Sequence, residues 1–174
     1  RTEYDYPYKA SAMVYFTDIR EACRAVVAMK KLTDSKEEWI VKGAELLDYK
    51  SLSSVDDPIY IKYKGEVTDP SGLTAVLTET KARTPEELKA RIATIEQTLS
   101  AFRTYIPVHF TDNPAEYGKY WAIRSGIFPS VGGTRRPGTT CLIEDVAFHI
   151  EDLPEATADL QALIARHGYD DACI

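Results

Sequence analysis

The 174-residue chain lacks a disulfide framework, a membrane-spanning run and a surplus of positive charge, and each absence excludes a class of function. Its three cysteines, Cys23, Cys141 and Cys173, are odd in number and far apart, which fits neither paired disulfides nor a CxxC metal site. They read as small core residues of a protein kept in a reducing, intracellular setting. His109, His149 and His167 are scattered, with no second ligand at metal spacing, so no metal site is expected within the chain. No apolar stretch approaches the roughly 20 residues that a membrane-spanning helix requires. The net charge is −6, so the chain as a whole repels a phosphate backbone and an anionic membrane surface, and neither nucleic acid nor a membrane is expected as a partner. No serine stands in a nucleophile elbow. Ser130-Val131-Gly132-Gly133-Thr134 matches neither a Walker loop nor a dinucleotide fingerprint, and reads as a flexible turn.

What is present suits one soluble domain with a real core: 44% hydrophobic and 28% charged residues. The chain opens on Arg1 and stops at Ala172-Cys173-Ile174, which is strand-like in character, so residues 1–174 read as a single domain excised from a longer chain.

Patterning supplies the elements. Tyr8 to Phe16 is apolar and β-branched or aromatic at its end, a strand, and Asp18 with Glu21 three residues later opens a helix with Ile19, Cys23, Val26 and Val27 on one face. Trp39 to Leu47 predicts a short strand running into a helical turn at Asp48 to Ser54. Ile59 to Tyr63 alternates apolar residues with lysine, and so does Leu73 to Thr80 with threonine and valine; with Asp69-Pro70-Ser71-Gly72 as a turn, the two predict antiparallel neighbours. Thr84-Pro85-Glu86-Glu87 is an N-cap threonine, an N1 proline and an N3 glutamate, starting a helix that runs to about Phe102. Asn113-Pro114-Ala115-Glu116 starts another, expected to end by Phe128 because Pro129 follows. Thr140 to Ile150 is expected as a strand, and Asp152-Leu153-Pro154-Glu155 opens a last helix with Leu160, Leu163 and Ile164 inward and Gly168 as its stop. The order predicts an α+β fold, an antiparallel sheet with helices packed on one face in ferredoxin-like style.

Chemistry concentrates in one stretch. Between Lys119 and Ile143 stand four basic residues, Lys119, Arg124, Arg135 and Arg136, and no acidic one; without those four charges the remainder carries −10. A positive island in an acidic protein suits a small anion, and suits equally a solvated loop with one helix arginine reaching to water. Tyr117, Tyr120, Trp121, Arg124 and Phe128 fall on one helical stripe, which predicts Arg124 on the buried face. A desolvated guanidinium needs an anion, and its fork matches a carboxylate. That anion is either internal, with Glu144 or Asp145 as candidates, or a ligand. Glu144 and Asp145, adjacent on a strand, would point to opposite faces and cannot form a carboxylate dyad.

The block Tyr120 to Asp145, YWAIRSGIFPSVGGTRRPGTTCLIED, followed by a helix at Leu153, resembles the C-terminal domain of FAD-linked oxidases of the D-lactate dehydrogenase, glycolate oxidase and D-2-hydroxyglutarate dehydrogenase type. Gly43 to Asp48 and Leu73 to Thr80 resemble that domain's earlier strands. The resemblance implies a cap over a flavin held by a separate N-terminal domain, with oxidation of a 2-hydroxy acid to the 2-oxo acid. It assigns substrate contacts to Arg124, the arginine of a W-x-x-R helix, and to Arg135, Arg136 and Lys119, with Glu144 and Asp145 behind them and no catalytic residue within the chain. FAD is the implied cofactor. A divalent metal would be held by a histidine-rich motif expected after the point where this chain stops. Partners would be the substrate, the chain's own FAD-binding domain and an electron acceptor, in the cytoplasm or at the inner face of a membrane. Ser125, Phe128 and Ile143 depart from the hydroxyglutarate branch, which carries glutamate, threonine and lysine there, so the acid itself is open. The alternative is a non-catalytic ferredoxin-like module that binds an anionic metabolite; a purely structural role would leave Arg124 in an internal ion pair.

Overall fold

Nine residues, Tyr8–Phe16, form β1, apolar on both faces because the strand is covered on both. The structure is a computed structural model, and it describes residues 6–140, 146–169 and 172–174. Asp18 then caps α1 (Ile19–Lys30) by accepting the Glu21 amide at 3.0 Å. β2 (Val41–Leu47) leads directly into the short α2 (Tyr49–Ser54), whose cap, Asp48, is buried and accepts from the Ser51 amide at 2.8 Å. α3 (Pro58–Glu66) precedes β3 (Thr74–Ala82), the central strand, which pairs antiparallel with β1 on one side and β2 on the other. Thr84 caps α4 (Pro85–Leu99) and Asn113 caps α5 (Pro114–Thr134); α6 (Leu153–Arg166) follows a single 3-10 turn and ends where Gly168 takes φ +76°. The fold is α+β, as the element order predicts.

Register divides the side chains. Ala10, Ala12, Val14 and Phe16 of β1 and Val76 of β3 face α1 and α4, where they pack with Met29, Leu88, Ile95 and Leu99. This is the expected helical layer, and α6 lies outside it, joined to α1 by the Arg20–Glu155 ion pair at 3.0 Å and by Cys23 against the Thr157 hydroxyl at 3.6 Å. Burial pushes the Cys23 thiol up, as suits an inert core cysteine. The opposite sheet face is covered as well: Met13, Tyr15, Leu47, Ala75 and Leu77 pack under Leu52, Tyr60, Tyr120, Trp121, Ile123 and Ile127 of α2, α3 and α5. The outer edge of β1 is protected by the segment after α4, through Tyr105 N–H to Tyr15 O at 2.8 Å and reciprocal Ser11 and Thr111 bonds at 3.0 Å.

Four expectations are corrected. Residues 59–63 are helical, and the antiparallel pair they were to form with β3 does not exist; Asp57 accepts the Ile59 and Tyr60 amides at 3.0 and 2.8 Å, and Pro58 occupies the first turn. That is the same cap-plus-proline start as at Thr84 and Asn113, and it outweighs an apolar alternation only five residues long. α5 does not stop at Phe128 but runs through Pro129 to Thr134, absorbing the glycine-containing segment expected as a turn. Packing holds it across the proline: the Ser130 hydroxyl donates to the Ser54 carbonyl, and Gly126 lies against Val55. Residues 146–149 are irregular rather than a strand, while 141–145 lie outside the described residues. On α6 the buried residues are Pro154 and Thr157, and Leu163 is exposed.

Candidate functional site

The α5 side of the sheet has an apolar end and a polar end. Met13, Leu77, Tyr15, Ala75 and Leu47 make the apolar end. Two residues further along each strand, the same face carries Ser11 and Lys9 on β1, Glu79 and Lys81 on β3, and Gly43 and Glu45 on β2. Glu79 is buried, with its carboxylate 3.2 Å from the Lys81 ammonium. Gly43 leaves the space beside it: a Cβ there would sit 3.8 Å from the Glu79 Cβ.

α5 crosses this face between two anchors. At one, Trp121 Nε1–H donates to the buried Ser11 hydroxyl at 3.3 Å; at the other, Ser130 is tied to α2. Arg124 lies between them and reaches over to β2, where its Nε–H donates to Glu45 Oε2. Its side chain is 51% exposed, so the expectation of a buried arginine fails. α5 is apolar on nearly every side, and the face that packs is Tyr120, Ile123 and Ile127 with Trp121, about one residue around from the stripe that holds Arg124; Phe128, on that stripe, is 56% exposed. The internal partner is Glu45 on β2. Glu144 and Asp145, the carboxylates expected beside it, lie outside the described residues.

The other basic residues do not converge on Arg124. Arg135 turns back on the helix end, its Nη1 donating to the Gly132 carbonyl that the end of α5 leaves open and its Nε–H to the Thr139 carbonyl of the following turn at 3.0 Å. At 1.5 Å per residue it stands about 16 Å along the axis from Arg124. Arg136 is exposed in the turn that follows, and Lys119 is exposed one turn before Arg124; neither has a charged partner among the described residues. Glu45 was missed in the sequence as a site residue, although it stands alone as a charge between Gly43 and Leu47 on the face that β2 turns toward α5.

A second charged cluster gave no sequence signal. Arg91 of α4 is 3% exposed and is held by Asp34 at 2.7 Å, Glu87 at 2.8 Å and the Lys81 carbonyl at 2.7 Å. Glu38 lies 3.5 Å away and also takes Arg83 at 2.8 Å and the Tyr6 hydroxyl at 3.0 Å. The hydrogen bonds from Arg83 and Tyr6 hold the Glu38 carboxyl down at about 2. Burial works against ionisation of Asp34, but the Lys36 and Glu38 amides and the Arg91 guanidinium prevail and lower it. A cavity of about 290 Å³ at the start of β1, lined by Tyr6, Tyr8, Lys9, Leu88, Asp112 and Tyr117, borders this cluster. Among the described residues no group of histidines, cysteines and carboxylates could hold a metal ion, and no helix is long and apolar enough to cross a membrane.

Residues 6–174 match the family model of the FAD linked oxidases, C-terminal domain. The chain belongs to that family. No curated protein matches it. Membership makes it a domain of a flavin-linked oxidoreductase, with FAD as the cofactor, and the match is to the family as a whole rather than to one branch. The residues present fit a flat ring only beside α5, where the polar end of the sheet is open and Lys9, Lys81 and Arg124 offer donors; Ser11 is buried beneath Trp121. They do not fit a dinucleotide's pyrophosphate. The N-termini of α1 to α5 are filled by their own caps, Asp18, Asp48, Asp57, Thr84 and Asn113, and the start of α6 carries Glu151, Asp152 and Glu155, which repel an anion.

Proposed function

We propose that the whole chain is the cap and substrate-binding domain of a flavin-dependent 2-hydroxy-acid dehydrogenase or oxidase, with Arg124 as the group that grips the substrate carboxylate. The observation that carries this reading is the state of Arg124: an exposed guanidinium beside the polar end of the sheet, occupied through Nε alone, with its terminal N–H groups making no hydrogen bond among the described residues. Those groups form the edge that takes a carboxylate bidentately. FAD, held mainly by another domain, would supply the redox chemistry as the two-electron acceptor for the hydride from C2, with the hydroxyl proton passing to a base outside these residues. This chain's residues bind and orient: Arg124 fixes the carboxylate, and Tyr120, Trp121 and the sheet face limit water around C2. Lys119, Arg135 and Arg136 would contact the substrate only if it carried a second anionic group reaching along α5, away from Arg124. Any metal would be held outside these residues, by the histidine-rich motif that the family resemblance implies. Such an enzyme would work in the cytoplasm, or at the inner face of a membrane through its redox partner.

The test is anaerobic mixing of the full-length flavoprotein with a panel of 2-hydroxy acids of both hands. Bleaching of the oxidised flavin spectrum by at least one of them is expected; a full-length protein that binds no flavin, or a flavin that none of them bleaches, overturns the reading. A metabolite-sensing module instead predicts that the 174-residue chain alone binds a 2-hydroxy acid and loses it on Arg124→Ala, whereas a cap binds negligibly without its flavin domain.

A further inference from the structure

Arginine presents five N–H donors on two usable edges, and which edge is free decides what it can recognise. Arg124 engages Glu45 with Nε. The two residues come from elements far apart in sequence, α5 and β2, and the helix between its Trp121 and Ser130 anchors has no freedom to carry Arg124 elsewhere. Glu45 is itself fixed: it sits opposite Leu77 in an antiparallel ladder, diagonal to Glu79, on a strand that ends in the buried cap Asp48. Its side chain is 36% exposed, less than that of Arg124, so the carboxylate is the anchored member of the pair and the guanidinium the presented one.

From this geometry we infer that Glu45 is a positioning residue: by holding Arg124 at Nε it turns the Nη1/Nη2 edge outward as a preformed carboxylate clamp. The inference rests on the substrate role given to Arg124 above. Two consequences follow from charge and entropy. The long arginine side chain, which otherwise loses rotamer freedom on binding, has already lost it in the free protein. Glu45 also neutralises the guanidinium, so it lowers the attraction for anions in general while sharpening orientation for one that approaches from the free edge. Removing Glu45 therefore gives opposing effects on affinity but a single effect on geometry, and the loss appears in the rate at saturation more than in binding.

The experiment compares Glu45→Ala, Glu45→Gln and Arg124→Ala in the flavin-loaded full-length protein. Three readouts are taken: the rate of flavin bleaching at saturation by the 2-hydroxy acid that reduces it fastest, the Kd of oxalate from the shift in flavin absorbance, and Tm. For Glu45→Ala the bleaching rate is expected to fall tenfold or more, with oxalate Kd within threefold of wild type and Tm lowered by no more than about 2–4 °C, as for one exposed pair. Glu45→Gln retains an acceptor oxygen for Nε–H and is expected to restore most of the rate. A wild-type rate in Glu45→Ala, or a Glu45→Gln protein as slow as Glu45→Ala, overturns the inference. A faster rate or tighter oxalate binding beyond threefold in Glu45→Ala also overturns it, since Glu45 is then a competitor for the clamp. If Arg124→Ala abolishes bleaching and oxalate binding while Glu45→Ala leaves both intact, only the inference falls. If Arg124→Ala changes neither, or no 2-hydroxy acid bleaches the flavin, the substrate reading falls and takes the inference with it.

Discussion

Arg91 and Arg124 sit on opposite sides of the same sheet, and their surroundings differ in the way that separates a structural arginine from one kept for a ligand. Arg91 is 3% exposed, with two carboxylates within 2.8 Å and a backbone carbonyl at 2.7 Å. Both of its terminal nitrogens are engaged while the buried Nε has no partner, and the side chain ties α4 to the segment that leads into β2. Arg124 is 51% exposed and meets one carboxylate through one nitrogen. A guanidinium taken fully from water must find its partners inside the protein, because each missing one costs the full desolvation of that group. A guanidinium left half in water has no such need, and its unused donors remain available. The one unused donor of Arg91 is shut inside the protein and those of Arg124 stand at the surface, so it is vacancy open to solvent that marks an arginine for recognition here.

The sharpest way to break this comparison is to empty both positions. Arg91→Met removes a buried cation and strands Asp34 and Glu87, so stability is expected to fall by about 3–5 kcal/mol; urea unfolding measures it, and a loss below about 1 kcal/mol would show that the cluster is not a structural centre. Arg124→Ala is expected to reverse the pattern. Stability changes by less than about 1 kcal/mol, the range of exposed pairs. In the flavin-loaded enzyme, kcat/KM for the 2-hydroxy acid falls by a factor of about 100 or more, near 3 kcal/mol of transition-state binding. Equal effects of the two substitutions on stability would erase the distinction.

Much of the fold was legible because its signals are local. Asp18, Thr84 and Asn113 each stand where a side-chain oxygen meets a free amide, and the periodicity of β1, β3 and α4 is unambiguous. The failures share a physical cause: a local pattern that several folds satisfy, decided only by packing. Ile59 to Tyr63 alternates like a strand, yet Tyr60 is buried and Ile61 exposed because α3 lies on the sheet. Pro129 is a helix breaker in isolation, but the contacts of Gly126 and Ser130 with α2 outweigh one missing hydrogen bond. The site was half legible. Arg124 stood out by charge and family resemblance, while Glu45, its partner from 79 residues away, has no sequence signal linking the two. Arg91 looked like any helix arginine, since nothing in its neighbourhood announces that Asp34 and Glu38 fold over it.

The acids around Arg91 sharpen the comparison through pH. Glu38 falls from an ordinary carboxylate value of 4.5 to about 2 on folding, and Asp34 is lowered as well. A carboxyl whose folded pKa is depressed stabilises the native state above its unfolded value and loses that contribution as pH falls through the folded one, so this loss spans about pH 4.5 to 2 for Glu38. Unfolding free energies across that window are expected to decline less steeply in Glu38→Gln than in wild type, and parallel slopes would remove Glu38 from the acid-sensitive set. No such acid-linked loss of stability is expected from Arg135, which bonds only carbonyls.

Arg135→Ala is the smallest test and discriminates within the basic stretch itself. Its side chain is spent on the Gly132 and Thr139 carbonyls at the end of α5, an exposed cap where hydration can replace much of the lost bonding. A stability loss of about 0.5–1 kcal/mol, in the range of a single hydrogen-bonded cap, is therefore expected. The rate of flavin reduction should stay within twofold of wild type, because a guanidinium about 16 Å along the helix from Arg124 cannot share its ligand. A rate loss approaching that of Arg124→Ala would mean that the substrate extends along α5 to a second anionic group, and the positive stretch would then act as one surface with Arg124 at one end.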